Sequence, residues 1–184
     1  MPREVRGVLF ADPVRMIRAA KQVDWNERLS PQDLQWLSKR IDPEGWYPID
    51  AYERLALAVL EEIARGDFAA VRAWGREMAD AVANLEPRLL ATGDPRELFM
   101  RFQLLRQALF NFPAVEVVAL REGAALLELR FGLGASAEEA AAANALGLLE
   151  ALLEASGAAG VAVSLQSRSW QGEGPTRIAV GWKV

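Results

Sequence analysis

Val115-Glu116-Val117-Val118-Ala119-Leu120-Arg121-Glu122-Gly123-Ala124-Ala125-Leu126-Leu127-Glu128-Leu129-Arg130-Phe131 is the stretch in which a helical period gives way to an alternating one. Val115, Val117 and Ala119, then Leu127, Leu129 and Phe131, occupy every second position, the spacing that turns side chains to one face of a strand. Glu122-Gly123-Ala124 lies between the two runs, so they read as a β-hairpin. Matching the apolar positions calls for a three-residue turn, which also sets Glu116 opposite Arg130 on the outer face. A two-residue turn would break both matches.

Downstream, Ser136 followed by Glu139 has the spacing of a capping box, and the alanine-rich helix it opens runs to about Ser156, where Gly157 and Gly160 end it. Leu146, Leu149, Leu152 and Leu153 supply its buried side. The run Ala140 to Ala143 allows a close approach to a neighbouring helix, although a bias toward alanine would look the same. Val161, Val163 and Leu165, then Ile178, Val180 and Trp182, alternate around the turn-rich Trp170 to Pro175, which makes a second hairpin. Residues 113–184 therefore read as a ββαββ unit: a four-stranded antiparallel sheet with a helix on one face, in the α+β class.

Upstream, residues 1–112 form a helical half. Asp12-Pro13, Ser30-Pro31 and Asp94-Pro95 each place a capping side chain before a proline at the first helical position. Asp33 stands three residues after Ser30, and Glu53 three after Asp50, while Asp67 follows Gly66. These starts predict five helices. Leu55, Val59, Leu60 and Ile63 make the apolar face of the one beginning near Asp50, and Leu98, Phe102, Leu105 and Leu109 that of a helix over Pro95 to Phe110. The two halves are expected to share one core.

The 184 residues include no cysteine and no histidine. Disulfides, a cysteine nucleophile, a Ser-His-Asp triad and the usual zinc ligands are thereby excluded. A net charge of −4 argues against a nucleic-acid partner, which wants a dense basic face. Val8-Leu9-Phe10 is too short for a signal-peptide core, so the expected location is cytoplasmic. The apolar stretch Ala137 to Val163 contains Glu138, Glu139, Glu150 and Glu154, and one such charge at a bilayer centre already costs ~2.5–3.5 kcal/mol. No membrane span, metal or cofactor is expected. The carboxylate pairs Glu61/Glu62, Glu138/Glu139 and Glu150/Glu154 sit side by side on helices, whereas acid/base catalysis needs two groups in contrasting environments. Gly132-Leu133-Gly134 lacks the remaining elements of a phosphate loop.

Glu44-Gly45-Trp46-Tyr47-Pro48-Ile49-Asp50-Ala51-Tyr52-Glu53-Arg54-Leu55 resembles a family of unknown function found in many paralogous copies in myxobacteria, with Trp-Tyr-Pro before an amphipathic helix. Val115 to Phe131, Ser136 to Gly157 and Val161 to Val184 are similar to 4-vinyl reductase and haem-NO-binding-like domains, built as two strands, a helix ending in glycine, and two more strands. That resemblance implies an apolar space between helices and sheet. It also implies late cysteines for metal or a proximal histidine for haem, but the corresponding stretch reads Thr176-Arg177-Ile178-Ala179.

Candidate ligand or contact residues are Trp46, Tyr47, Tyr52, Phe102, Trp170 and Trp182. Trp46 and Tyr47 either line a site or anchor their loop, and Trp170 either stands exposed in its turn or folds over the sheet edge. Arg168, Arg177 and Lys183 share a face with Ser164 and Gln166, a solvated surface or a receptor for an acidic partner. The resulting expectation is a non-catalytic regulatory or sensory module that binds a small apolar ligand, a partner protein, or both. A structural interaction module, with a homodimer as one form, predicts an exposed apolar patch instead. A cofactor-independent enzyme predicts a buried, mismatched acid pair near Tyr47 or Tyr52.

Overall fold

Strand β3 (Val115–Arg121) pairs with β4 (Ala124–Leu129), which pairs with β6 (Thr176–Lys183), which pairs with β5 (Ala159–Ser167), all antiparallel, and α8 (Ala135–Ala155) connects the two hairpins. This is the α+β arrangement expected, with the helices N-terminal. The computed structural model describes residues 1–90, 93–105 and 107–183.

The first hairpin corrects the expected turn. Arg121 pairs with Ala124 across the two residues Glu122 and Gly123, and Gly123 takes φ 70°, a left-handed conformation that glycine adopts without strain. The register stays apolar because the ladder shifts between Val117 and Ala119, so that Val117 faces Leu127 and Val115 faces Leu129. A bulge thus restores what the short turn would have lost. Glu116 consequently lies opposite Glu128, and Arg130 reaches both carboxylates, at 3.5 and 2.6 Å.

At the start of α8 the Ser136/Glu139 box does not form. The residue before the helix is Gly134, and its N–H donates to Glu53 Oε1 at 2.7 Å, while the Leu133 N–H donates to buried Glu138 at 2.9 Å. The carboxylates thus meet the strand-to-helix loop rather than the expected cap.

The helical half contains β1 (Glu4–Arg6), α1 (Gly7–Ala19), α2 (Trp25–Arg28), α3 (Pro31–Ser38), β2 (Trp46–Pro48), α4 (Ile49–Glu62), α5 (Phe68–Glu77), α6 (Ala79–Leu85) and α7 (Pro95–Leu105). Ser30, Asp67 and Asp94 cap the helices they were expected to cap, through Asp33 N–H, Ala69 N–H, and the Arg96 and Glu97 N–H groups. Asp12-Pro13 does not start a helix. Pro13 lies inside α1, at a position where proline ordinarily costs about 3 kcal/mol. The helix instead begins at Gly7, where the Gly7 and Val8 N–H groups donate to the carbonyls of Gly45 and Pro43 at 2.8 and 2.9 Å. Backbone from a distant loop replaces the cap, and burial of Val8, Leu9 and Phe10 rewards the earlier start.

Asp50 is likewise inside the first turn of α4, and the Ile49 N–H donates to the Arg3 carbonyl at 3.1 Å. β1 and β2 pair antiparallel, Val5 opposite Tyr47. The expected Pro95 to Phe110 helix is described to Leu105, Arg106 lies outside the described residues, and Phe110 is extended and bridges to Val5.

α5 crosses α8 at two glycines. A β-carbon on Gly75 would lie 2.1 Å from the Asn144 carbonyl oxygen, and one on Gly147 would lie 1.9 Å from that of Arg72. Ala140 and Ala143 pack beside this crossing with Leu60, Ala64 and Val71, so the close-approach reading of the alanine run holds. The main core runs through both halves, from Phe10, Ile17 and Leu55 to Leu127, Leu153 and Ile178.

Candidate functional site: an apolar cavity between helices and sheet

Ala141, Asn144, Ala145, Leu148, Leu149 and Leu152 recur at three- and four-residue intervals and form one stripe of α8. That stripe faces a cavity of about 90 Å³, closed on other sides by Phe99 and Phe102 of α7, Tyr52 of α4, and Leu127 and Leu129 of β4. Ala142, Ala143, Leu146 and Leu153, beside the stripe, are buried, whereas Ala141, Ala145, Leu148 and Leu149 are only half-buried. Apart from buried Leu152, the residues of the stripe keep accessible surface, and all of them line the cavity. Apolar cavities of about 150 Å³ admit benzene or xenon, so this space is of the order that holds a very small molecule.

A second cavity of about 50 Å³ adjoins the first, and Tyr52, Leu133, Ala141 and Asn144 line both. Met16, Trp74 and Met78 close its far side, with the carboxylates of Asp12 and Glu53 at its margin. Burial pushes the Tyr52 phenol up to about 12, helped by the charge of Asp12, so the hydroxyl keeps its proton at neutral pH.

Of the candidate residues, Tyr52 and Phe102 line the larger cavity. Trp182 stands behind its wall, stacked on Phe99 at 5.6 Å. Tyr47 stacks on Phe10 at 4.6 Å, and its hydroxyl accepts the Asp42 N–H at 2.8 Å, a geometry that anchors the loop. Trp46 is 37% exposed and lies under the Arg6 guanidinium at 4.9 Å. Trp170 is half-buried against the core rather than free in its turn, and its indole N–H has no partner among the described residues. The arginines of the basic face are compensated: Arg177 meets Glu128 at 3.1 Å, and the Arg168 guanidinium lies 3.8 Å from Glu173, to which its backbone N–H donates at 2.8 Å; Lys183 lays its stem against Gly160. Asn144 was not singled out from sequence. The available signal was a lone amide on an otherwise apolar helical stripe.

The buried acids are structural ties. Asp33, 1% exposed, accepts two hydrogen bonds of 2.8 Å from Arg54 and one from the Ser30 hydroxyl, joining α3 to α4. Arg54 first, then Ser30, holds the Asp33 carboxyl below the usual carboxylate range against the opposing effect of burial. A depressed folded-state pKa means stability that is present above the unfolded value of about 3.9 and lost as pH falls through the folded one. Replacing Asp33→Asn is therefore expected to lower the urea midpoint at pH 7 and to flatten its fall below pH 4. An unchanged acid limb in the variant would show that Asp33 is not its source.

Among the described residues there is no group of three or more His, Cys, Asp or Glu side chains that could hold a metal ion, and no helix long and apolar enough to cross a membrane.

No protein-family model matches the chain, and no curated protein matches it. Solved structures do. An unliganded Fe(II) H-NOX protein from K. algicida aligns at TM-score 0.65 and 12% identity, covering 97% of both chains. An H-NOX protein from S. oneidensis in the Fe(II)NO state aligns at TM-score 0.64 and 14% identity, covering 97% of this chain and 99% of that one. An oxygen-binding H-NOX domain related to soluble guanylate cyclases, in its oxygen complex, aligns at 0.59 and 14%, covering 97% and 95%. Haem distortion is a subject of study in that family, so a haem is the group to test against this cavity.

It does not fit. The chain has no histidine or cysteine, and Tyr52, the one other axial-ligand type lining the larger cavity, is held protonated. Met16 and Met78 line the smaller space and not the larger one. Among the described residues no cation lines either cavity to receive a carboxylate, and about 90 Å³ is well short of the roughly 300–1,000 Å³ of drug-sized sites. At 12–16% identity the likeness is one of architecture: the chain has the H-NOX fold without the residues for its iron.

Proposed function

We propose that this protein is a non-catalytic, cytoplasmic regulatory module that binds a small hydrophobic molecule in the cavity between α8, α7 and the sheet. The observation that carries the reading is the accessible apolar stripe of α8, which a chain built only for stability would fill. The fold supports a sensory role, since the similar structures include proteins caught in nitric oxide and oxygen complexes. Kinship with the myxobacterial paralogous family and with 4-vinyl reductase domains is part of the same proposal, on Trp46-Tyr47-Pro48 and the strand-helix-strand outline.

Ligand in the cavity would favour one placement of α7, because Phe102 lines the space while Met100 and Leu104 of the same helix are exposed, at 49% and 85%. A partner protein reading that helix would sense occupancy. The enzyme alternative finds little support around Tyr52: Asp12 pairs with Arg15 at 2.6 Å and Glu53 accepts the Gly134 N–H, which leaves no mismatched acid pair.

Native mass spectrometry of the chain purified from its own host tests the reading. A retained small molecule is expected, together with xenon uptake by the emptied protein. Both are expected to vanish in Leu148→Trp, where the larger ring fills the cavity, with the thermal midpoint held or raised. A chain that retains no molecule and admits no xenon would overturn the proposal.

A further inference from the structure

The chemistry of the ligand follows from the two polar side chains shared by both cavities, a deduction that rests on the cavity being a ligand site. Among the described residues, Tyr52 and Asn144 are the only ones lining the larger cavity that have polar side chains. The indole nitrogens of Trp36 and Trp170 are shut into packing without a partner. Tyr52 and Asn144 differ, because they are half-buried and line both cavities. Between them they offer a hydroxyl that donates and accepts and an amide that does both.

Among the described residues, no charged side chain lines the larger cavity. At the smaller one the carboxylates of Asp12 and Glu53 are engaged, by Arg15 and by the Gly134 N–H. An anion would meet no cation among the described lining residues and would approach two carboxylates. A cation would lose its hydration without finding a free counter-charge. A pure hydrocarbon would displace water from Tyr52 and Asn144 and leave them unpaired.

We infer that the cavity takes an uncharged small molecule with an apolar body and one hydrogen-bonding group, a hydroxyl or a carbonyl. The polar group lies against Tyr52 and Asn144 at the junction, and the body fills the space beside Phe102 and Leu148.

Benzene, phenol and benzoate share one ring and differ in the group that the inference concerns. Each is titrated into the full chain, with binding followed through the methyl resonances of Leu98, Leu148 and Leu149. Phenol is expected to bind about tenfold more tightly than benzene, the factor that one net hydrogen bond supplies, and benzoate more weakly than either. In Tyr52→Phe with Asn144→Leu the phenol advantage is expected to disappear while benzene binding persists, which also reports that the variant is folded. The single Tyr52→Phe variant, with the smaller change, is expected to lose part of the advantage. Equal binding of benzene and phenol by the natural chain would overturn the inference and leave the cavity reading standing, as would xenon uptake with both rings refused. Tightest binding of benzoate would overturn the neutrality of the ligand. Refusal of benzene, phenol and xenon together would overturn the cavity reading itself.

Discussion

Replacing Phe10→Ala is expected to remove about 3–5 kcal/mol of folding stability, the range for deleting a fully buried aromatic side chain. Phe10 has no exposed surface and stands at the centre of an aromatic cluster, stacked on Tyr47 at 4.6 Å and edge-on to Trp36 at 5.2 Å. Trp36 and Tyr47 themselves meet edge-on at 5.7 Å, so the two rings that would wall the cavity left by alanine already brace each other and cannot both close on it. The same ring secures the loop whose Pro43 and Gly45 carbonyls receive the first N–H groups of α1. Urea unfolding followed by tryptophan fluorescence measures the loss, and a drop below about 1.5 kcal/mol, the size of a single tolerated volume-conserving swap, would show that the cluster repacks.

Gly147→Ala is expected to destabilise at the upper end of the roughly 1–3 kcal/mol typical of overpacking, even though alanine is the better helix former by about 1 kcal/mol. The new methyl would sit 1.9 Å from the Arg72 carbonyl oxygen and 3.0 Å from the Arg76 nitrogen, both backbone atoms that cannot rotate away. α5 would have to lift from α8, which would stretch the Arg72 and Arg76 pairs with Glu150 and Glu154 across the same crossing. The lift would also move Asn144, whose carbonyl lies against Gly75 one turn earlier on α8. Differential scanning calorimetry distinguishes the outcomes: a lower midpoint shows that the clash dominates, and a higher one that helix propensity does.

The hairpins and the long helix were legible because their signals are local. Alternation at Leu127, Leu129 and Phe131 and at Ile178, Val180 and Trp182 marks burial on one sheet face, and all six are buried, whereas Val115, Val117 and Ala119 on the edge strand are half-buried. Ser30, Asp67 and Asp94 each cap through a side chain two or three residues from its partner, a distance that sequence spacing reports faithfully. Asp12, Asp50 and Ser136 carry the same signature and do not cap. At those helices the first N–H groups find backbone or side-chain acceptors far away in the chain, in the Pro43–Gly45 loop, at Arg3, or on Glu53. A local signal loses when a distant partner satisfies the same orphan group and burial favours an earlier start. The bulge at Val118 was hidden for a related reason: turn length and strand register compensate each other, and only their sum shows in the alternation. Tyr52 and Phe102 could be named as candidates from their aromatic character, but Asn144 gains meaning only from the face of α8 on which it lies.

From its amino acids alone this chain is a mixed α+β protein with no thiol or imidazole, a property of composition that no folding can reverse. Tertiary structure decided where the empty space is, because a cavity is the volume that four separate elements fail to fill. The stripe on α8, Phe102 on α7, Tyr52 on α4 and the leucines of β4 are far apart in sequence, and their meeting depends on helix crossings, such as that at Gly75 and Gly147, that residue spacing does not encode. Composition ruled out the usual nitrogen and sulfur ligands, and packing supplied what remains: an apolar hollow with two polar side chains at its junction.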